Sequence, residues 1–240
     1  MVNGRNGNAL TVFGSSMHFT LEDNTLPLLT SKSVAWKTCM KELLWFISGS
    51  TDNSVLKEQK VKIWNGNASR EYLDSIGLND RAENDLGPVY GHQWRHFNAN
   101  YKSCKDDYSN EGVDQLKYII DSLKDPEKRY SRRLIMSAWN PCQLPEMALP
   151  PCHVLVQFNV LPGDKLACSL YQRSGDVGLG VPFNIASYSM LTHLIAHQCG
   201  LYATEFNYHL GNCHIYDDHI ESIKGQLERK PFKFPVLNIN

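Results

Sequence analysis

The fold of this chain is decided by residues 170–188, which read LYQRSGDVGLGVPFNIASY. The stretch leaves a β-rich run predicted over residues 165–172, passes through a glycine-rich turn and opens a strongly apolar helix predicted over residues 185–198. Gly200 follows that helix as a stop signal. This stretch therefore joins the β-rich part of the chain to its most apolar helix.

The segments on either side of this stretch predict further strands and helices. Strands are expected over residues 9–21 (as one strand or a hairpin), 134–139, 154–161, 202–209 and 232–239, and helices over residues 34–47, 113–123 and 219–228. Residues 162–164 are a hairpin signal between two of these strands, whereas residues 65–107 are rich in turn residues and predict loops. Strands adjacent in sequence with separate helices favour an α+β fold. Because no repeat or linker is present, we treat residues 1–240 as one domain.

The composition is that of an ordinary globular protein, with 42% apolar and 20% charged residues. It excludes a disordered tail, a collagen-like fibre and a disulfide knot. The 24 basic and 25 acidic side chains leave a net charge of −1, so the chain lacks the broad positive field of a nonspecific nucleic-acid binder. Any anion that the chain binds must be held by a local group of residues.

Three features of the sequence bear on the cellular compartment of the protein. The longest apolar stretches are too short to cross a bilayer, and residues 1–8 lack the apolar core of a signal peptide. The seven cysteines are odd in number and lack CxxC spacing, which is typical of reduced thiols. The sequence therefore predicts a cytoplasmic or nuclear protein without a membrane segment.

Residues 149–153 read LPPCH and supply the first candidate for chemistry. Two prolines fix the approach of the chain and leave Cys152 at the predicted first position of a strand, where its side chain can face a cavity. A free cysteine is also commonly a buried, inert hydrophobe. Neighbours on a strand point to opposite faces, so His153 is poorly placed to deprotonate Cys152. Activation of the thiol would need a nearby cation.

Arginines that could supply this cation stand at the ends of predicted strands. Arg132 and Arg133 precede one strand, and Arg173 ends another and is followed by Ser174. Paired arginines commonly form a solvated surface patch. Arg173 differs because it lies where a β-run meets a glycine-rich turn, and guanidinium, hydroxyl and backbone N–H groups form anion sites at such junctions.

The glycine-rich turn at residues 175–180 has the spacing GxxGxG, which is the reverse of the dinucleotide fingerprint and does not match a Walker loop. It indicates close approach of the backbone to a flat or anionic ligand. Asn184 follows the turn with an amide that can pair with two adjacent polar atoms of a base edge. The alternative interpretation of Asn184 is a helix cap.

Three further polar residues interrupt apolar patterns. Glu42 lies within the sequence KELLWF, where a salt-bridged surface glutamate is the alternative. His214 and Tyr216 are two residues apart and share a face if the segment is extended. A zinc site is the rival interpretation, with ligands drawn from Cys199, Cys213, His214 and His219. None of the usual ligand spacings occurs, so we expect no metal.

Six motifs stand in the order found in one known family. They are ELLWF (42–46), DLGPVYGHQWR (85–95), SRRLIMSAWN (131–140), MALPPCH (147–153), LYQRSGDVGLGVPFNIASY (170–188) and HIYDDH (214–219). From Arg5 to its last residue the chain resembles the thymidylate synthases. The resemblance implies an α+β fold with a large mixed β-sheet and flanking helices, in which the sheets of two subunits pack back to back in a homodimer.

The same resemblance implies the reductive methylation of dUMP to dTMP. In this family 5,10-methylenetetrahydrofolate is the co-substrate that gives both the carbon and the hydride. Cys152 matches the nucleophile that adds to carbon 6 of the uracil ring and thereby makes carbon 5 nucleophilic, and Arg173 would favour its thiolate. The phosphate would be held by Arg5, Arg173 and Ser174, together with Arg132 and Arg133 of the partner subunit.

The base and the sugar would be bound by residues of two motifs. Asn184 would read the uracil edge, and Gln172 belongs to the same dUMP-binding set. Cytosine presents a different donor pattern and is typically met by an aspartate, so Asn184 argues for dUMP over dCMP. His214 and Tyr216 would bind the sugar hydroxyl.

The resemblance also implies catalytic and folate-binding residues. Glu42 would act through an ordered water network, Tyr90 at the carbon-5 proton and Asp176 on the folate pterin, alongside Cys152 and Arg173. The folate side would be formed by Lys32, Ile63, Trp64, Asn67, Leu149, Asp176, Gly180 and Phe183. No metal or nicotinamide is implied.

This chain departs from the family pattern in several places. After Arg5 it reads RNGNAL where the family usually has RTGTGT, Ser33 replaces a basic residue, Asn212 replaces an aspartate and Asp218 an asparagine. Family members continue for tens of residues beyond position 240 and end in a tail that closes over the ligands. If the polypeptide ended at Asn240, exclusion of water from the bound ligands would be incomplete. If the polypeptide continues, no conclusion about water exclusion can be drawn.

Two other functions fit the same residues. One is a pyrimidine nucleotide hydroxymethylase on the same fold, in which water takes the place of the hydride. The other is a catalytically inactive, nucleotide- or RNA-binding homodimer. The presence of both Cys152 and Glu42 favours an enzyme.

Overall fold

The computed structural model describes residues 1–4 and 7–239 of the chain. Its strands are β1 (Val2–Gly4), β2 (Gly7–Thr20), β3 (Ile135–Ser137), β4 (His153–Leu161), β5 (Lys165–Asp176) and β6 (Tyr202–Tyr216). Its α-helices are α1 (Trp36–Ile47), α2 (Asn53–Glu58), α3 (Arg70–Ser75), α4 (Tyr90–His96), α5 (Gln115–Lys124), α6 (Gly180–Cys199) and α7 (Ile220–Leu227). The predicted phosphate ligand Arg5 lies outside the described residues.

The six strands form one mixed sheet in the order β1-β2-β6-β5-β4-β3. Neighbouring strands are antiparallel except β5 and β6, which run parallel. Two parallel strands need a long crossover connection, and α6 provides it. The α+β architecture with a mixed sheet, expected from the sequence, is confirmed.

Helix α6 is the centre of the core. Most of its residues are buried, including Ala186, Met190 and Leu191, and it contacts β5, β6 and α1. An apolar helix buried on nearly all sides is stabilised by packing rather than by one amphipathic stripe. Gly200 ends it in the left-handed conformation, with φ of 66°, which a residue without Cβ adopts at little cost.

The two faces of the sheet differ in exposure. On β2, Met17 and Phe19 pack against the core, whereas the alternating residues Ser16 and His18 are exposed. On β5, Tyr171 is exposed between buried neighbours. The helices therefore cover one face of the sheet and leave the alternate side chains of the other face open.

Several predicted elements are confirmed and others were wrong. The helices expected over residues 34–47 and 113–123 are α1 and α5, and the hairpin at residues 162–164 joins β4 to β5. The loop prediction for residues 65–107 was wrong in part, because the short helices α3 and α4 lie there. The strand predicted over residues 232–239 is absent: that segment makes one isolated bridge, from Val236 to Thr25.

Two boundary corrections concern the site. Helix α6 begins at Gly180, five residues earlier than predicted, so Asn184 lies inside the helix and does not cap it. Strand β4 begins at His153, not at Cys152. The pairing of β4 with β5 shifts register between His153 and Leu155, and the N–H of Cys152 bonds a tyrosine side chain instead of a strand.

Candidate active site

The site is built where β4 begins, β5 ends and α6 begins. Cys152 stands directly before β4 and is partly buried. Its backbone N–H donates to the hydroxyl oxygen of Tyr90, the first residue of α4, at 2.7 Å, and the N–H of His153 points to the same oxygen at 3.4 Å. The phenol of Tyr90 thus fixes the chain at the cysteine. Burial raises the pKa of Tyr90 far above its ordinary value, so the phenol stays protonated at neutral pH.

Arg173 on β5 is tied to the residues that lead into Cys152. Its Nε donates to the carbonyl oxygen of Pro151 at 2.8 Å and its Nη2 to that of Pro150 at 2.9 Å. Its backbone N–H donates to the carbonyl oxygen of Cys152 at 2.9 Å. The guanidinium carbon also lies 5.6 Å from the ring centroid of Trp139. A cation is therefore held beside the segment that leads into Cys152.

Glu42 is a buried carboxyl group on α1. Only 7% of the residue is exposed, and burial raises its pKa to about 7, against the smaller opposing effect of a hydrogen bond from Trp64. The alternative of a salt-bridged surface glutamate is wrong, because Glu42 is neither exposed nor in an ion pair within the described residues. A carboxyl group that titrates near neutrality can hold or release a proton at the working pH.

Asn184 on α6 faces the start of β4 and the end of β5. Its Oδ1 accepts a hydrogen bond from Gln172 Nε2 at 3.1 Å, and the buried ring of His153 lies close to its side chain. Burial lowers the pKa of His153 to about 4, so this ring is neutral at physiological pH. Asn184 therefore presents a restrained amide near Cys152.

The ends of β5 and β6 bring a second polar group together. The parallel register places Ser174 beside Asn212 and Asp176 beside His214. His214 Nδ1 lies 3.0 Å from Asn212 Oδ1, and its ring packs edge-on against Tyr216 at 5.0 Å. The two predicted sugar ligands do share one face.

Asp176 holds the glycine-rich turn. Its Oδ1 accepts a hydrogen bond from the N–H of Gly178 at 2.8 Å and lies 3.7 Å from Nδ1 of His219. Lys32 Nζ donates to the carbonyl oxygen of Gly178 at 2.6 Å. Two of the predicted folate residues, Asp176 and Lys32, thus meet at one turn. His219, which the sequence raised only as a zinc ligand, lies beside the same Asp176 carboxylate.

The remaining predicted residues differ in exposure. Ile63 is exposed, Trp64 is buried, and Asn67, Leu149 and Phe183 are partly buried. Arg132 and Arg133 are exposed just before the edge strand β3. Neither guanidinium forms an ion pair within residues 1–4 and 7–239, and the structure does not bring them to the site of their own chain.

One buried residue of this region was missed by sequence reasoning. Tyr208 on β6 is fully buried, and its hydroxyl donates to Gln172 Oε1 at 2.6 Å. The alternation of β6 could have placed Tyr208 on the inner face of the sheet, but no motif marks it.

The described residues show neither a membrane-spanning helix nor a metal-binding cluster. No helix there combines the length and apolar character that crossing a bilayer requires. No group of three or more His, Cys, Asp or Glu side chains in that part of the chain is arranged to hold a metal ion.

Comparison with known proteins gives a consistent match. The chain fits the family model described as thymidylate synthase over residues 2–240. It is 56% identical over 231 residues to the thymidylate synthase of Homo sapiens, and the matched region covers 96% of this chain and 72% of that protein. It is 57% identical over 228 residues to a probable thymidylate synthase of Schizosaccharomyces pombe (92% of this chain, 36% of that protein).

A third relative is a two-activity protein. The chain is 55% identical over 230 residues to a bifunctional dihydrofolate reductase-thymidylate synthase of Paramecium tetraurelia, covering 96% of this chain and 49% of that protein. The chain thus spans about half or less of the length of two of these three relatives.

Proposed function

The chain belongs to the thymidylate synthase family, and from this premise we propose that it catalyses the reductive methylation of dUMP to dTMP with 5,10-methylenetetrahydrofolate. The observation that carries the proposal is the meeting of Cys152, Arg173 and Tyr90 at the start of β4. Arg173 bonds the two proline carbonyls before Cys152, and Tyr90 bonds its N–H. A nucleophile, a cation and a proton-bearing group are thus held together by side-chain contacts.

Cys152 is the nucleophile of the proposed reaction. Its thiolate forms a bond to carbon 6 of the uracil ring, and the electron pair of the carbon 5–carbon 6 double bond moves onto carbon 5 and the adjoining carbonyl. Carbon 5 then has enolate character and can attack a one-carbon donor. Arg173 favours the starting thiolate because its positive charge lies beside the segment that ends at Cys152.

The nucleotide is oriented by polar groups around Cys152. Asn184 Oδ1 accepts from the ring N–H and its amide donates to the neighbouring carbonyl, while His214 and Tyr216 bind the sugar hydroxyl. The phosphate is held by Arg5, Arg173 and Ser174, with Arg132 and Arg133 of the partner subunit. A phosphate site made of a local group of arginines is consistent with a chain whose net charge is only −1.

The homodimer is supported by two features. The face of the sheet that carries the exposed Tyr171 is the one that the helices do not cover. Arg132 and Arg133 are exposed, and within the described residues neither forms an ion pair. Packing of two such faces back to back would bury the open side chains and bring these guanidinium groups to the phosphate of the other subunit.

The residues assigned to the folate fit a flat, hydrogen-bonding ring. A Cβ at Gly180 would meet no atom closer than 3.7 Å, so the backbone there is open to close approach, and the Asp176 carboxylate beside it can accept from ring N–H groups. When bound, the co-substrate supplies the one-carbon unit and the hydride. It would be held by Lys32, Ile63, Trp64, Asn67, Leu149, Asp176, Gly180 and Phe183.

Proton transfer is assigned to Glu42, and Tyr90 orders the groups around carbon 5. The pKa of Glu42, raised to about 7 by burial, lets it hold or release a proton through ordered water at neutral pH. Tyr90, whose pKa is raised, keeps its own proton; its oxygen already accepts from Cys152, so its O–H remains to order a water or the substrate near carbon 5.

Trapping of the nucleophile tests the proposal. The protein is incubated with 5-fluoro-dUMP and methylenetetrahydrofolate, denatured and digested with a protease that cleaves after glutamate, because Glu146 lies between Cys142 and Cys152 whereas no Lys or Arg does. The peptides are weighed by mass spectrometry. The added mass is expected on the peptide that contains Cys152 and not on peptides with the exposed Cys142. Cys152→Ser should abolish the adduct and turnover while dUMP binding persists. Absence of any adduct on the folded wild-type protein would contradict the assignment.

A further inference from the structure

Three buried side chains form a hydrogen-bonded row from the middle of β6 to the first turns of α6. The Tyr208 hydroxyl bonds Gln172 Oε1 at 2.6 Å. Gln172 Nε2 bonds Asn184 Oδ1 at 3.1 Å and the carbonyl oxygen of Ser174 at 2.8 Å. Tyr208 is 0% exposed, Gln172 2% and Asn184 8%, so water competes little for these bonds.

The polarity of the row follows from the groups at its ends. A backbone carbonyl can only accept, so Gln172 must turn its NH₂ toward Ser174. Its Oε1 then faces Tyr208, whose hydroxyl must donate, and burial raises the pKa of Tyr208 so that the proton stays in place. The same NH₂ group requires an acceptor on Asn184. An inverted Asn184 amide would place two NH₂ groups against each other.

We propose that Tyr208 is a positioning residue that, through Gln172, holds Asn184 in the orientation that accepts uracil and rejects cytosine. The inference rests on the proposed function, because it deepens the base recognition assigned to Asn184. Uracil offers a ring N–H beside a carbonyl, which the observed amide orientation matches. Cytosine offers an acceptor beside an amino group and needs the inverted amide.

The restraint from Tyr208 is partial. The buried ring of His153 also lies close to Asn184, and Gln172 keeps its bond to Ser174 when the tyrosine hydroxyl is gone. Loss of that hydroxyl leaves a buried carbonyl oxygen without a donor, which makes other side-chain positions of Gln172 accessible. The expected result is a weaker preference for uracil, not its disappearance.

Direct binding measurements test the proposal. Dissociation constants for dUMP and for dCMP are measured by calorimetry on the wild type, Tyr208→Phe, Gln172→Leu and the double variant. Tyr208→Phe should reduce the dCMP/dUMP ratio of dissociation constants by about tenfold, as expected for one buried hydrogen bond. Gln172→Leu should reduce it at least as much. The double variant should match Gln172→Leu alone, because Tyr208 acts through Gln172.

Tyr101→Phe is the matched control. Tyr101 is another buried tyrosine, and its hydroxyl bonds Asp85 at 2.6 Å and Thr51 at 2.8 Å, in a different cluster. Its loss should lower stability and leave the base preference unchanged.

The outcomes separate the two proposals. Failure of the wild type to bind dUMP would reject the proposed function. A wild type that prefers dUMP, with an unchanged ratio in folded Tyr208→Phe, would overturn the role of Tyr208 alone. If Tyr208→Phe does not fold, an unchanged ratio in Gln172→Leu overturns it from the other end of the same bond.

Discussion

Trp64 and Glu42, 22 residues apart in the chain, are joined by a hydrogen bond in which the indole N–H donates to Glu42 Oε1 at 2.7 Å. The bond gives the buried carboxyl a fixed donor. Burial nevertheless outweighs it, and the pKa of Glu42 rises to about 7. A residue expected on the folate side thus contacts the proposed proton carrier directly, so a ligand that shifts Trp64 would also change the surroundings of Glu42.

We predict that Glu42→Gln stabilises the fold at alkaline pH while it lowers turnover. The folded wild type binds more protons than the unfolded chain between pH 4.5 and about pH 7, so its stability falls as the pH rises through that window. At pH 8 the variant should exceed the wild type by roughly 1–3 kcal/mol in free energy of unfolding, and near pH 4.5 the difference should vanish. Urea titrations at a series of pH values measure it.

The exposed Glu221 provides the control for this prediction. Glu221→Gln makes the same chemical change outside the core and should leave the pH profile of stability unaltered. Turnover of Glu42→Gln should fall by about 10²-fold or more, the usual effect of removing a general acid–base. A stability difference that does not depend on pH would contradict the raised pKa.

The base specificity of Asn184 gives a second prediction. Asn184→Asp should weaken dUMP binding by about tenfold to a hundredfold, because the carboxylate cannot donate to the uracil carbonyl. Binding of dCMP should improve, since its amino group can donate to the new oxygen. Calorimetric titration with both nucleotides measures the change. Asn212→Asp adds the same charge beside His214 and should keep the preference for dUMP.

The sequence predicted the long elements well, for physical reasons that are visible in the structure. Helix α6 is long and apolar enough to show its type, and the β4–β5 hairpin has turn chemistry at residues 162–164, where Gly163 and Asp164 adopt positive φ of 82° and 57°. The helices α3 and α4 have six and seven residues, too few for a helical period to emerge among turn residues. The family resemblance marked residues 85–95 as a motif where periodicity gave no signal, and membership of that family is confirmed.

Residues without a motif were beyond sequence reasoning. Tyr208 and Gln172 are 36 residues apart and meet because β5 and β6 pair in parallel. The segment over residues 232–239 alternates like a strand, yet it joins no sheet. The strand nearest to it in the chain, β6, already pairs with β2 on one side and β5 on the other. A local pattern indicates that a segment favours the strand conformation, but it does not show whether a neighbouring strand is free to pair with that segment.

A third prediction concerns His92, which lies outside the proposed site. It is 1% exposed, packs edge-on against Tyr101 and Tyr108 at 5.0 and 4.7 Å, and burial lowers its pKa to about 4. The folded chain therefore binds fewer protons here than the unfolded chain between pH 4 and pH 6.5, and stability rises with pH over that range. His92→Phe removes this dependence, so relative to wild type it should gain up to roughly 3 kcal/mol as pH falls from 6.5 to 4.

His92→Gln separates titration from ring packing. It keeps a polar side chain without a titrating group, so it should flatten the pH dependence as His92→Phe does while losing more stability at pH 7. Thermal and urea unfolding between pH 4 and pH 7 supply both numbers. Retention of the full wild-type slope in both variants would show that the pKa of His92 is not lowered.

The shared phosphate site gives the last prediction, and it follows from the exposure of Arg132 and Arg133. If they complete the site of the partner subunit, Cys152→Ser protein and an Arg132→Gln/Arg133→Gln protein should each be nearly inactive. A random 1:1 mixture then contains half heterodimers, each with one site that combines an intact Cys152 and intact arginines, so activity should recover to about a quarter of the wild type. Subunit exchange is verified by native mass spectrometry. Exchange without recovered activity would place the arginines outside the shared site, whereas recovery requires that each site draw on both chains.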